Sequence, residues 1–537
     1  MDPTRGPRQV VVVGAGPGGL AAAINLAGLG LEVTVVEKDP VPGGRMKGLI
    51  LGERGEYALD TGPSILQLPA VLERIFERAG RRLGDYVTLL PVDPNTRVHF
   101  WDGTQLETST DPKRLDGSLA KLDPRLPAAM RRWMELGAEK YRIAYEKFMA
   151  TPADGLGYYA PWRLLPTLRF KPWQSLYSHL DAFFRDDRVT YALAYPSKYL
   201  GLHPTTCSSV FSVIPWIELA FGVWHVQGGF RALARGMQRC AEDLGARFRF
   251  SSPVRTVWID AAHARGVELA SGERLEADAV VINADLPYAA TRLVDPEWRE
   301  GTRLSDRVLE GARYSCSTFM LYLGLDRRWD DLPHHLVYLS NGARRTDPIS
   351  VEDRAVDEDD PPFYVCNPCV TDASGAPAGH STLQILVPTP NTHQPVDWAR
   401  TEQLLAERVP AWLSKVGLHD VARHVRARRT FTAETWRDEF NVFRGAVFNL
   451  AHGWRQLGPL RPKVKNPDVE GLYWVGGGTH PGSGLLTIME SANIAADHLA
   501  KAMGREGLPG WPHVPPAPEL TGDPAATDRV DGMPGRA

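Results

Sequence analysis

Three glycines and an acid open the chemistry of this chain. Gly14, Gly16 and Gly19 stand as G-x-G-x-x-G, and Glu37 follows 23 positions after Gly14. The first such glycine makes a tight turn and the second lets the backbone reach a pyrophosphate. The third lets helix pack on strand, and an acid at this distance takes ribose hydroxyls. Pro42-Gly43-Gly44-Arg45 adds a second glycine turn with a cation, which can meet a diphosphate or a ring carbonyl. Leu59 to Ser64 (LDTGPS) brings Asp60, Gly62 and Pro63 beside the same ligand. Near the other end, Leu472 to Ser491 reads LYWVGGGTHPGSGLLTIMES, a turn bared to its backbone ahead of a helix N-terminus, where negative charge is favoured. One complete nucleotide fingerprint with two further turns points to FAD rather than NAD.

Regular elements must hold these turns in place. Val10 to Val13 reads as a strand buried on both faces, Leu20 to Leu29 as a helix ended by Gly30, and Glu32 to Val36 as the next strand. Later, Gly228-Gly229-Phe230 opens an amphipathic helix over Arg231 to Gly245, followed by strands at Arg247 to Phe250 and Val254 to Ile259. The strand Glu276 to Asn283, ending in Asn283-Ala284-Asp285, returns the chain to the nucleotide site, and the backbone near Val254 suits an adenine ring. Between these pieces lie the strand candidates Tyr86 to Leu90, Arg97 to Trp101, Ser317 to Leu325, Phe363 to Cys369 and Thr382 to Val387. Helices are expected at Leu119 to Thr151, Asp186 to Leu200, Thr206 to Trp224 and Asp397 to Val416. The resulting class is α/β. A discontinuous Rossmann-type FAD-binding domain (1–75, 226–300, 441–503) joins a substrate domain of mixed sheet plus helices (76–225, 301–440). The Pro-, Gly- and Asp-rich stretch 504–537 reads as a disordered tail.

Composition removes several alternatives. Across 537 residues the formal net charge is -3, which offers no nucleic-acid-binding surface. Five cysteines and a short polar start, Met1 to Gln9, fit a reducing cytoplasm without a signal peptide. The most apolar run, Ser212 to Trp224, is too short to span a bilayer and carries Glu218. Tyr158 to Tyr177 interleaves aromatic, aliphatic and basic residues, as a membrane interface, a tunnel cap or a buried helical subdomain does. No metal is expected: His334 and His335 are adjacent and point to opposite faces of a strand. Cys366 and Cys369 have redox-motif spacing, but no helix follows them.

The whole pattern resembles the bacterial-type phytoene desaturases, the flavin-dependent carotenoid desaturase family. The resemblance runs from about Gln9 to Met503. It is carried by VVVGAGPGGLAAAINLAGLG with Glu37, GGR at 43–45, DTGPS at 60–64, GVWHVQGG at 222–229, NAD at 283–285 and PCVTD at 368–372. Its most specific carrier is GGGTHPGSGL at 476–485. It implies a flavin amine-oxidase-like architecture and an enzyme that introduces trans double bonds into phytoene or a partly desaturated carotene by hydride transfer to FAD. It also implies peripheral contact with the cytoplasmic membrane; the electron acceptor is expected to be oxygen or a quinone. By the same resemblance Gly14, Gly16, Gly19, Glu37 and Arg45 hold the ADP half of FAD, and Gly476, Gly477, Gly478, Thr479, Pro481 and Gly482 lie along the flavin. Gly44, Asp60, Gly62, Pro63, Val254, Asn283 and Leu485 complete the expected cofactor-binding set. Glu218 is the candidate base or cation stabiliser, or else a helix glutamate in a structural pair. A carotene cis–trans isomerase, a retinoid saturase and an isoprenoid-lipid carrier are the competing readings.

Overall fold

The β-branched run at the start of the chain becomes the centre of a sheet. The computed structural model describes residues 8–153, 158, 161–168, 170–341 and 360–518. Gln9–Val13 lies third in a five-stranded parallel sheet, in the order Arg247–Arg249, Glu32–Val36, Gln9–Val13, Ala279–Ile282 and Leu472–Trp474. Val11 pairs with Thr34 on one side and Val280 on the other, so three distant stretches of chain are hydrogen-bonded in register. Both faces are covered, as an all-parallel sheet requires. On one face Pro17–Gly28 packs between Leu485–Ala502 and Phe230–Asp243. There Asn25 Nδ2 donates to Asn493 Oδ1 at 2.9 Å, joining the first long helix to the last. On the other face, Val11 and Val13 meet Val257 and Val267 of the antiparallel sheet Val254–Asp260, His263–Leu269, Arg274–Glu276.

The second large sheet has seven strands in the order Val425–Phe431, Ser317–Leu325, Ser381–Thr389, Phe363–Cys366, His335–Leu339, Thr96–Phe100 and Gln105–Thr108. Period-two alternation divides its faces. Phe319, Leu321 and Leu323 pack on Leu405, Val409 and Trp412 of the helix Trp398–Trp412. Thr318 and Met320 turn instead toward a cavity shared with the parallel sheet. Helices Leu126–Ala144, Leu176–Phe184, Asp187–Ala194 and Val213–Phe221 pack on one another as a further layer. The short strands Leu66–Gln67, Val223–Val226 and Leu89–Val92 stitch that layer to the nucleotide side.

Several expectations are corrected. The helix read from Leu119 to Thr151 is two helices, Pro112–Leu122 and Leu126–Ala144, because Pro124 forces the preceding Asp123 into extended backbone. The strand expected over Tyr86 to Leu90 forms later, as Leu89–Val92. The apolar run after Thr206 ends in a strand, because Gly222 turns the chain with φ of +77°. The strand from Phe363 stops at Cys366, ahead of Pro368, which has no N–H to give a ladder. The tail also changes. Residues 504–518 dock on the fold: Leu508 is buried and its N–H donates to Asp497 Oδ1 at 3.1 Å. Trp511 Nε1 donates to Glu490 Oε2 at 3.0 Å, and the Pro515 carbonyl accepts from the Tyr141 hydroxyl at 3.0 Å. Apolar side chains and satisfied polar ends override the composition there. The readings placed on residues 1–7, on Tyr159 and Ala160, and on 519–537 lie outside the described residues. Among the described residues, no helix is long and apolar enough to cross a membrane.

Candidate active site

The glycine turns from opposite ends of the chain face one cavity of about 410 Å³ between the two large sheets. At one end the turn after the first strand is drawn tight: the Gly14 N–H donates to the Val36 carbonyl at 2.7 Å, with φ of +95° at Gly14. A methyl group on Gly16 would stand 2.7 Å from Asn283 Nδ2. Asn283 also donates from Nδ2 to the Gly14 carbonyl at 3.4 Å. Buried Glu37 closes this end, taking the Ala15 N–H on Oε2 at 2.7 Å and the Asp39 N–H on Oε1 at 2.9 Å. Burial raises its pKa, and those two N–H donors pull it back. Arg45 Nη1 donates to the Val447 carbonyl. Burial lowers the guanidinium pKa, and the charge of Asp285 acts against that.

The other end is the turn Gly476 to Gly484. The Gly476 N–H donates to Ser491 Oγ at 2.9 Å, folding the turn back on its own helix. A methyl group on Gly478 would stand 2.4 Å from Leu286 Cβ, so bare backbone is required there. From behind, fully buried Arg461 donates to the carbonyls of Gly477 at 2.6 Å, Thr479 at 3.1 Å, Leu450 at 3.2 Å and Gln456 at 3.2 Å. Desolvation pulls its pKa down to about 9. His452 Nε2 accepts the Ser483 N–H at 3.0 Å. Sequence reading missed Arg461 and His452. Nothing in the run Arg461-Pro462-Lys463 separates a buried clamp from a surface cation. Beyond the turn the wall is mainly apolar, with Ile65, Met320, Leu386, Pro388 and Phe448, and carries the phenol of Tyr364.

Most of the residues expected at the site meet on this wall: Gly14, Gly16, Glu37, Gly44, Arg45, Gly62, Pro63, Val254, Asn283, Gly476, Gly477, Gly478 and Leu485. Six stand off it, and each has a reason. Gly19 is a packing glycine, since its Cβ would lie 2.0 Å from the Gly14 carbonyl oxygen. Asp60 faces the N-terminus of Phe230–Asp243, with Oδ1 accepting the Phe230 N–H at 2.7 Å. Burial pushes its carboxyl up to about 6. Thr479 Oγ1 donates to the Pro462 carbonyl at 2.8 Å, and a Cβ on Gly482 would lie 2.8 Å from His452 Nε2. These two and Pro481, which lies between them, brace the turn from behind. Glu218 lies behind the wall as well: its Oε1 accepts from Nε2 of Gln67, a wall residue, at 2.7 Å. The expectation that His334 and His335 point apart is also overturned. The strand begins at His335, so alternation does not reach His334, and the two ring centroids are 4.4 Å apart.

The wall suits FAD. Pro17–Gly28 and Leu485–Ala502 both begin at a glycine cap with no side-chain acceptor and no acid in the first turn. Both caps, Gly16 and Gly484, line the cavity. Two helix N-termini thus offer unpaired N–H groups and partial positive charge, one at the pyrophosphate turn and one at the far turn. Glu37 and Val254 lie at the first end, where an adenosine would sit.

Comparison with known proteins agrees. The model of the flavin containing amine oxidoreductase family matches residues 17–500. The chain is 72% identical over 509 residues to the all-trans-zeta-carotene desaturase of Myxococcus xanthus, covering 95% of this chain and 96% of that one. It is 35% identical over 517 residues to the zeta-carotene-forming phytoene desaturase of Myxococcus xanthus, covering 96% and 98%. In fold it is similar to putrescine oxidase bound to putrescine, with a TM-score of 0.60 and 19% identity over 92% of this chain and 99% of that one. The chain belongs to the flavin containing amine oxidoreductases, among their carotenoid desaturases, and is an FAD-dependent oxidoreductase acting on CH–CH bonds.

Proposed function

We propose that this enzyme acts on a partly desaturated carotene, ζ-carotene in its all-trans form, and extends the conjugation with new trans double bonds. The observation that carries this reading is the contrast between two proteins of one organism. Identity is 72% to the one that desaturates all-trans-zeta-carotene and 35% to the one that forms zeta-carotene.

The chemistry of the wall supports it. A hydrocarbon offers no heteroatom to grip, so binding rests on apolar burial, about 25 cal/mol per Å². Ile65, Met320, Leu386, Pro388 and Phe448 supply such a surface beside the glycine turn. Bound FAD supplies the hydride acceptor for an allylic C–H bond. The chain's own part is to orient, exclude water and stabilise charge. The N-terminus of Leu485–Ala502 would favour negative charge on a two-electron acceptor held beside it. The apolar wall keeps water from the carbon cation left on the polyene, which then loses a proton from the neighbouring carbon. Glu218 is a positioning residue. By holding Gln67 Nε2 it leaves the Gln67 carbonyl oxygen as the acceptor end of an amide on the wall.

Membrane access belongs to the same reading. Trp162, Leu165 and Leu168 in the helix Pro161–Leu168 are 69%, 61% and 48% exposed, and nearby Trp173 is 67% exposed. Together they are a surface for peripheral contact with the cytoplasmic membrane, where carotenes dissolve. Oxygen or a quinone serves as electron acceptor. The test is holoenzyme with ζ-carotene or phytoene in separate liposomes. The expected result is rapid formation of longer-wavelength product from ζ-carotene with consumption of acceptor, and little product from phytoene. A preference for phytoene, or isomer conversion without acceptor use, refutes the assignment.

A further inference from the structure

We propose that His334, His335 and Cys366 form a buried zinc site within the seven-stranded sheet, behind the wall of the FAD cavity. One donor atom from each of these side chains comes within 4.8 Å of the other two, and all three residues are buried. Strand pairing explains the meeting. His335 and Cys366 are direct partners across an antiparallel ladder, so their side chains leave the sheet on one face. His334 stands one residue before the strand, its carbonyl accepting the Asn367 N–H at 2.7 Å, so the chain just past Cys366 folds over it.

The hydrogen bonds mark which ring atoms are free. His334 Nδ1 is bonded to Thr371 Oγ1 at 2.8 Å, and His335 Nδ1 to the Tyr364 hydroxyl at 2.7 Å. Both Nε2 atoms are buried without a partner. An unpartnered buried polar atom is costly, and here two occur on adjacent rings. Histidines that bind metal tie up the outer nitrogen in this way and turn the other to the ion. Two imidazoles and a thiolate are a borderline-soft set, suited to Zn²⁺ and not to Mg²⁺ or Ca²⁺. Zn–N of about 2.0–2.1 Å and Zn–S of about 2.3 Å put tetrahedral neighbours roughly 3.3–3.6 Å apart, so binding draws donors that lie within 4.8 Å of one another together by about 1.5 Å or less. Balance is simple: Zn²⁺ enters, the Cys366 thiol gives up its proton to solvent, and both imidazoles bind as neutral groups. His225, with its ring 4.9 Å from that of His334, is committed to Asp372 through Nε2 at 3.3 Å and is not counted as a ligand.

Such an ion would pin His335–Leu339 to Phe363–Cys366. It would also fix Tyr364, which bonds Ser64 at 2.7 Å on the cavity wall. With three protein donors the fourth tetrahedral position falls to a water; the ion's part is to hold these strands together, and it stands independently of the carotene assignment. The test uses FAD-loaded holoenzyme exposed to zinc chloride, washed with EDTA and gel-filtered. About one zinc per flavin is expected, with an X-ray absorption shell of one sulfur at ~2.3 Å and nitrogens at ~2.0–2.1 Å. Cys366→Ser is expected to lose the sulfur shell and weaken retention on the order of 10- to 100-fold while flavin content stays unchanged. Zinc lost from the wild type in the wash, a retained zinc without a sulfur neighbour, or unchanged retention in C366S overturns the proposal. If C366S does not fold, the wild-type sulfur shell decides by itself, its presence in support and its absence against.

Discussion

Gly19→Ala tests whether the pyrophosphate turn depends on helix–strand contact rather than on ligand contact. The added Cβ would stand 2.0 Å from the Gly14 carbonyl oxygen and 3.2 Å from Asn283 Cβ. Non-bonded atoms settle at about 3.5–4.0 Å, so the helix and the turn must part by more than about 1 Å. Neither side gives easily. Gly14 is held by its bond to Val36 at 2.7 Å, and the helix Pro17–Gly28 is tied to the last helix through Asn25 and Asn493. Overpacking of this kind costs about 1–3 kcal/mol. If the strain falls on the bound state, FAD affinity drops by roughly 10- to 100-fold, since each 1.4 kcal/mol is tenfold. The assay is the ratio of flavin to protein absorbance after dilution and gel filtration, with thermal unfolding in parallel. Gly117→Ala is the control. It lies exposed in the helix Pro112–Leu122, and its added methyl meets nothing within 4 Å. That substitution should stabilise by about 0.5–1 kcal/mol with flavin unchanged. Full flavin content and an unchanged melting temperature in G19A would refute the reasoning.

Other perturbations reach the remaining parts of the site. Arg461→Lys leaves at most three donors for four carbonyls, so flavin should leave more readily and stability fall by about 1–3 kcal/mol; unfolding that matches the wild type would contradict the clamp. Asp60 is held at about 6 in the fold against roughly 3.9 unfolded, so its ionisation opposes folding fully above pH 6, and the penalty vanishes as pH falls below about 3.9. Measured against Asp60→Asn, the wild type should therefore gain up to about 3 kcal/mol on acidification through that window; a difference flat with pH would show the carboxyl is not withdrawn from solvent. Trp162→Ser with Trp173→Ser should reduce co-sedimentation with liposomes while flavin content holds, and undiminished binding would move the membrane contact elsewhere. Glu218→Gln should slow turnover by roughly 10-fold or less without releasing FAD, because it acts through Gln67; unchanged turnover would remove it from the reaction.

The parts of this site that could be read ahead of the structure are those dictated by backbone geometry within a few residues. Gly14 and Gly476 announce themselves because their φ of +95° and +114° disfavours any side chain, and Gly16, Gly477 and Gly478 because their neighbours leave no room for a Cβ. What escaped reading depends on contacts made far along the chain. Asp60 looked like a ligand residue because it sits in a turn beside one, but the N–H that it serves begins a helix 170 positions away. Arg461 is one cation in a proline-flanked loop until the fold surrounds it with four carbonyls. The docked segment 504–518 has the composition of a tail, and the buried carboxylate of Glu490 together with the core beneath it gives Trp511 a reason to stay. The histidine pair shows the same principle at the shortest range. Alternation along a strand correctly separates neighbours inside it, and fails for His334 because the ladder starts one residue later. Local pattern therefore locates where backbone must meet cofactor. Whether a charged or imidazole side chain grips the ligand, the scaffold or an ion is decided by the partner the fold delivers to it.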